Sequence, residues 1–322
     1  PLILLMSGNP PGTKESLLNA AIFFGQQGYH SVGIDRRPSA RVLATKEQFL
    51  PRHSDPVFDA LRLLEFLREE SGFPLSSIGL YGFSAGAGEG TFVAALDDGI
   101  EAVVLGCGIS SFNDLFRDRA WIPTFSGMIV YPELGLGNPA IGQLSSEEFQ
   151  EFFYRAQPEH DGAARRVFNE VFPFFESLDF KAVVPLVAPT PTLIVGGGAD
   201  QQFRPAGVLE VDAAAQMAFQ EMGFGVASEV FIDPRVGHTL GFRGSSVAAR
   251  FFDRWLKCGA FGVAGPGGGT RVISWCGGAS RWFWVPAPAT ARIRSGQRKR
   301  NRKRADWPGP NRLSTRPWPE PP

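Results

Sequence analysis

At 322 residues, with 43% hydrophobic side chains, the chain is long enough to bury a sizeable core as one large α/β domain or two ordinary ones. The formal net charge of zero conceals an asymmetry, since residues 1 to 258 carry 20 Lys and Arg against 30 Asp and Glu, whereas residues 259 to 322 carry 12 against 2. Three cysteines, Cys107, Cys258 and Cys276, show neither CxxC nor Cys/His ligand spacing. Neither a disulfide framework nor a structural zinc is signalled, and a reducing, cytoplasmic compartment is favoured; no apolar run is long enough to span a bilayer.

In chain order, short β-type runs alternate with longer helical segments. Strands are predicted at Leu2 to Met6, Ser31 to Ile34, Ile78 to Tyr81, Ala102 to Gly106, Thr192 to Gly196 and Ser228 to Ile232. Helices are predicted at Glu15 to Gln27, Asp55 to Glu70, Gly86 to Leu96, Val208 to Met222 and Ser246 to Lys257. In the second helix Val57, Leu61, Leu64 and Leu67 recur at helical spacing, and Arg62, Glu65, Arg68 and Glu69 face water. The alternation predicts a doubly wound, mostly parallel sheet. The chain opens directly within a strand, so leading strands or a leader are expected to be missing ahead of Pro1.

Residues 108 to 188 interrupt the alternation and are too long for a plain loop. "SSEEFQEFFYRAQ", with Ser145 as a helix cap and Glu148 three residues on, and "AARRVFNEVFPFFESL" read as helices, so this stretch is expected to be a helical cap insertion. Phe112, Phe116, Trp121, Phe125, Tyr131, Phe149, Phe152, Phe153 and Tyr154 fit an apolar pocket roof or plain helix packing. The expected organisation is therefore a core at 1–107 and 189–258, a cap at 108–188 and a tail at 259–322. The tail is rich in Gly, Pro and Arg and is expected to be disordered. Nucleic acid is not an expected partner: only the tail's "RKRNRKR" run suits it or a nuclear address, and basic tails often serve neither.

Ser84 lies in "IGLYGFSAGAGEG", a strand, then Gly82-Phe83-Ser84-Ala85-Gly86, then a helix. This is G-x-S-x-G, in which small flanking residues let strand and helix close in and lift the serine to the end of the sheet. The backbone N–H of Ala85, at the helix start, is placed to stabilise an oxyanion. A serine hydroxyl needs a base, and the base needs an orienting acid. Of four histidines, His238 alone stands in a Gly-flanked loop between the last strand and the last helix; His30, His53 and His160 do not. Asp200, in "GGGADQQFRP" after the preceding strand, is the candidate acid, with Asp212 and Asp233 as fallbacks. The loop "SGNPPGT" after the first strand is the second source of oxyanion donors. Pro10 and Pro11 lack an N–H, which leaves Asn9.

The stretch "IGLYGFSAGAGEGTFVAALDDGIEAVV" resembles the nucleophile region of the α/β-hydrolase superfamily and, more loosely, is similar to that of prolyl-oligopeptidase-like peptidases and acetyl xylan esterase-like deacetylases. "SLDFKAVVPLVAPTPTLIVGGGADQQFRPAG" and the closing "FFDRWL" resemble the same two groups. The resemblance covers nearly all of residues 1 to 258. It implies the α/β-hydrolase fold, with Ser84 as nucleophile, His238 as base and Asp200 as orienting acid, and no metal or organic cofactor. Ser7-Gly8 stands where many relatives carry His-Gly, and "RRPSARVL" replaces the "RGQG" of acetyl xylan esterase relatives. The expected activity is ester hydrolysis of a small-molecule substrate through an acyl-enzyme. Alternatives are aminopeptidase-like or thioesterase action by the same triad, and non-catalytic binding on the same fold. An aminopeptidase would draw its anionic pocket from Glu89, Glu147, Glu148 or Glu151, all of which read more simply as solvated helix charges.

Overall fold

A computed structural model describes residues 1–8, 14–35, 46–72, 75–116 and 179–257, together with the backbone of strands at 261–264, 270–274 and 281–284. Six strands, β1 (Leu2–Met6), β2 (His30–Gly33), β3 (Ile78–Phe83), β4 (Ala102–Gly106), β5 (Thr192–Gly197) and β6 (Ser228–Asp233), form one sheet in the order β2-β1-β3-β4-β5-β6. Every pairing is parallel. The helices are α1 (Leu18–Gln26), α2 (Lys46–Glu69), α3 (Ala85–Leu96), α4 (Phe112–Phe116), α5 (Phe180–Val183), α6 (Pro205–Glu221) and α7 (Gly241–Phe252).

Burial on both faces explains why the central strands read as unbroken apolar runs. In β1, Leu4 and Met6 join one core with Leu64, Leu80, Val93 and Ile194, while Ile3 and Leu5 join the opposite core with Phe24, Tyr81, Val195 and Phe252. This division follows the two-residue period of a strand. The second core is largely aromatic: Phe24 meets Tyr81, Tyr29 and Phe252 at ring-centroid distances of 5.3, 6.3 and 5.6 Å. Each aliphatic or aromatic side chain fully buried this way contributes about 2 kcal/mol of transfer free energy.

Several boundaries differ from the sequence expectation. α2 begins at Lys46 rather than Asp55 and runs through Pro51 and Pro56; a proline costs its helix one N–H bond without forcing it to end. α6 begins at Pro205, whose fixed φ suits the first helical position, and α7 begins at Gly241, where φ is +59°. Within the tail, three strands, β7 (Phe261–Ala264), β8 (Thr270–Ser274) and β9 (Arg281–Trp284), pair antiparallel. The β-branched and aromatic residues of these segments have strong strand preference. The chain divides into units Pro1–Ala287 and Pro288–Pro322, and the second lies outside the described residues, as do residues 117–178 with both helices expected there.

The chain runs from β1 outward to β2, then returns to lay β3 on the other side of β1. The strand order therefore reverses between β1 and β3. In open parallel sheets the crevice at the carboxyl ends of such a pair is where ligands bind.

Candidate active site

Ser84 stands at this reversal, between the end of β3 and the start of α3. Its φ and ψ are +54° and −126°, a conformation that L-residues adopt only under constraint. The constraint is visible in its neighbours. The Ser84 amide donates to the Gly106 carbonyl at 2.8 Å, and the Ser84 carbonyl accepts from the Ala87 amide at 2.8 Å. A Cβ on Gly82 would meet the Gly86 carbonyl oxygen at 2.4 Å, and one on Gly86 would meet the Met6 carbonyl oxygen at 2.3 Å. Both glycines of G-x-S-x-G are thus demanded by backbone approach. At Gly8, after β1, an added Cβ would lie 2.8 Å from the Ser84 Cβ, so the two crevice-forming strands touch at the serine.

The structure brings Ser84, Asp200 and His238 together from loops after β3, β5 and β6. His238 Nε2 lies 2.9 Å from Ser84 Oγ, and His238 Nδ1 lies 2.9 Å from Asp200 Oδ2. Asp200 is 2% exposed and Ser84 8%, while the His238 side chain keeps 28% of its surface open. The second Asp200 oxygen, Oδ1, accepts the amides of Gln202 at 2.8 Å and Phe203 at 3.1 Å. With a carboxylate that only accepts on Nδ1, the tautomer that satisfies both contacts is the one protonated on Nδ1, which turns the Nε2 lone pair to the serine.

The fallback acids lie elsewhere. Asp212 is within α6, and Asp233 ends β6, where it accepts the Arg235 amide at 3.1 Å and pairs with Arg243 at 3.5 Å. His30 begins β2 at the sheet edge. The side chains of His53 and His160, and all of Asn9, lie outside the described residues, as do Glu147, Glu148 and Glu151. Ala85 is the first residue of α3, whose opening amides have no acceptor within the helix.

One sequence reading is corrected. Glu89, taken as a solvated helix charge, is only 4% exposed. It lies one turn into α3, and with Ser7, Asp35 and Pro56 it lines a narrow cleft beside the end of β1. The small residues that let α3 press against β3 carry this side chain inward with the rest of the helix. Two rings that sequence reasoning missed flank the imidazole: Phe203 stacks on it at 5.7 Å with planes 23° apart, and Phe83 meets it at 5.4 Å. Phe203 is three residues after Asp200 and Phe83 directly precedes Ser84, so adjacency in sequence was the available signal.

Cys107 follows β4 and is buried. Burial, with the nearby Asp200 charge, pushes its thiol up to about 12. Among the described residues no group of three or more His, Cys, Asp or Glu side chains could hold a metal ion, and no helix is long and apolar enough to cross a membrane.

A single parallel sheet, helices on both faces and a serine on a strained turn at the strand reversal together define the α/β-hydrolase fold, and the chain has it. No family model and no curated protein sequence matches the chain. Among solved structures it is similar to TT1662 from Thermus thermophilus, with a TM-score of 0.53 and 18% identity over 80% of this chain and 89% of that one. It is also similar to the Pyrococcus furiosus esterase Pf2001, with a TM-score of 0.52 and 13% identity over 79% of this chain and 82% of that one.

Proposed function

We propose that the protein is a serine hydrolase that cleaves carboxylic esters of small molecules through an acyl-enzyme. The observation that carries this reading is the double engagement of His238, with Ser84 Oγ and Asp200 Oδ2 each 2.9 Å from one ring nitrogen. A hydroxyl activated by a base that is itself oriented by a buried carboxylate is the arrangement acyl transfer needs.

In this reading His238 Nε2 takes the Ser84 proton as Oγ attacks the ester carbonyl carbon. The imidazolium that forms keeps its Nδ1–H on Asp200, whose negative charge stabilises it. The tetrahedral oxyanion is held by the Ala85 amide at the positive end of α3 and by the Asn9 amide. His238 returns the proton to the departing alkoxide, and the C–O bond breaks to leave the acyl group on Ser84. Water then repeats the sequence, with His238 as base, to release the acid. Phe83 and Phe203 flank the imidazole where the leaving group collects its proton, which favours an apolar alcohol portion. The fold is shared with the Pyrococcus furiosus esterase, a likeness that does not specify the ester.

The test is hydrolysis of a p-nitrophenyl ester series, from acetate to octanoate, by the wild type and by Ser84→Ala, with folding followed by circular dichroism. Activity in the wild type that falls by at least about 10³-fold in a folded Ser84→Ala supports the reading. Wild-type activity on aminoacyl anilides or thioesters but on no ester would replace the substrate class and keep the triad. A folded wild type inert on all three, and unlabelled by a fluorophosphonate, would overturn the reading in favour of a binding role.

A further inference from the structure

Phe203 engages both members of the Asp200–His238 pair, each by a different group. Its backbone amide donates to Asp200 Oδ1 at 3.1 Å, and its ring lies against the His238 imidazole with centroids 5.7 Å apart and planes 23° from parallel. That separation and angle are those of an offset-stacked aromatic pair. Phe83, the other ring beside the imidazole, is tilted by 51° and belongs to the nucleophile turn instead.

The chain fixes Phe203 from both sides. Before it, Asp200 Oδ1 also takes the Gln202 amide at 2.8 Å, which closes the loop on its own carboxylate. After it, Arg204 grips Asp114 of α4, a side chain with no exposed surface. Arg204 Nη2 donates to Asp114 Oδ1 at 2.9 Å and to the Asp114 carbonyl at 3.0 Å, and Nε donates to Oδ2 at 3.3 Å. Pro205 then opens α6 with its fixed φ.

While Ser84 is free, the imidazole is oriented by one contact on each ring nitrogen. In the acyl-enzyme the contact on Nε2 is lost. Oγ then carries the acyl group in place of its proton, and an Nε2 without a proton has none to donate to it. The bond from Nδ1 to Asp200 remains, and a ring held at one point can swing about it. With 28% of the His238 side chain exposed, packing alone does not prevent that swing.

We propose that Phe203 is a positioning residue, whose stacked ring keeps the His238 imidazole in place through the acyl-enzyme, so that Nε2 meets the attacking water. The role rests on the hydrolase reading above. Stacking of this kind favours the paired arrangement by about 2- to 12-fold beyond burial alone. Loss of the ring therefore slows attack of water on the acyl-enzyme by about that factor, whereas attack by Ser84 starts from an imidazole held at both nitrogens and depends on the ring less.

The test compares Phe203→Leu, which keeps the amide and an apolar side chain, with Phe203→Tyr, which keeps the ring. Stopped-flow mixing of the full chain with p-nitrophenyl acetate reads two rates: the p-nitrophenolate burst, set by acylation, and the steady phase, set by deacylation. Phe203→Leu should slow the steady phase by about 3- to 12-fold and the burst by less than about twofold, and Phe203→Tyr should stay within about twofold of wild type in both. A folded Phe203→Leu whose steady phase stays within about threefold of wild type overturns the role, as does one that slows both phases equally, or a Phe203→Tyr as slow as the leucine variant. Where no burst resolves, or the leucine variant does not fold, proton NMR of the wild type with labelled histidine decides. Upfield shifts of the His238 ring protons under the stacked phenyl support the role, and shifts at the positions of a free imidazole overturn it. A wild type that neither hydrolyses esters nor takes a fluorophosphonate removes the hydrolase reading itself, and the role with it, before any Phe203 variant is compared.

Discussion

Asp200→Asn tests the site at the level of single protons. The two carboxylate oxygens of Asp200 have different partners: Oδ1 accepts two backbone amides, from Gln202 and Phe203, and Oδ2 faces His238 Nδ1. An asparagine placed there must keep its carbonyl oxygen on the two amides, because its NH₂ cannot accept from them. The NH₂ then faces His238 Nδ1 and donates to it, which moves the imidazole proton to Nε2. At 2.9 Å from Ser84 Oγ, Nε2 would become a donor where the reaction requires an acceptor. Geometry, burial and fold would survive, and the base would be in the wrong tautomer. The same change in another serine hydrolase costs about 10⁴-fold in kcat, or about 5.5 kcal/mol at 1.36 kcal/mol per decade. We expect a loss of about that size on p-nitrophenyl acetate, with KM altered less than about threefold and Tm within a few degrees of wild type. A folded Asp200→Asn that keeps more than about a tenth of wild-type kcat would refute the assignment of tautomer and acid together.

The remaining predictions concern stability. Gly86→Ala forces a Cβ to within 2.3 to 2.6 Å of Met6 and Ser7 backbone atoms, and should cost about 3 kcal/mol or more; Gly25→Ala in α1, where an added Cβ meets nothing within 4 Å, should gain about 0.5 kcal/mol. Thermal melts of the two variants should therefore move in opposite directions, and an unchanged Tm for Gly86→Ala would count against the tight elbow. A second expectation is alkaline sensitivity. The Cys107 thiol is raised in the fold from 9.0 to about 12, so its contribution to stability is complete below pH 9 and is lost as pH climbs toward 12. The loss is at most about 1.4 kcal/mol per pH unit for this group. Tyr29 and Tyr81, also raised by burial, add to the fall above their ordinary 10.0. Urea midpoints should drop between pH 8 and pH 10.5, less so in Cys107→Ala, and a flat profile would contradict the burial of these groups.

How much of this was legible beforehand depended on whether the signal was local. β1 and β4 are apolar runs because both faces are covered, and their bounds agree with the sequence reading to the residue. The start of α2 was not legible: the periodic apolar positions begin at Val57, whereas the helix begins at Lys46 and crosses Pro51. Ser84 was legible because its strain needs glycines at fixed offsets, and Asp200 and His238 because each lies in a Gly-rich loop at a strand end. Their meeting is a product of the sheet order: Ser84 and His238 are 154 residues apart, and no local pattern encodes 2.9 Å. Glu89 was misread because a charge on a helix is ordinarily solvated, and burial is decided by how closely that helix packs.

The two chain ends that bracket residues 117–178 are held by the core itself. The Phe112 amide donates to Asp179 Oδ2 at 3.2 Å, the same carboxylate caps α5 through the Lys181 amide at 2.9 Å, and the rings of Phe112 and Phe180 meet at 5.8 Å. Entry and exit are therefore joined whatever runs between them. Closing a chain segment between two fixed ends costs only about 0.6 kcal/mol more for each doubling of its length. Changes of length between Phe116 and Asp179 are then expected to cost the sheet little, because its hold on both ends does not pass through them.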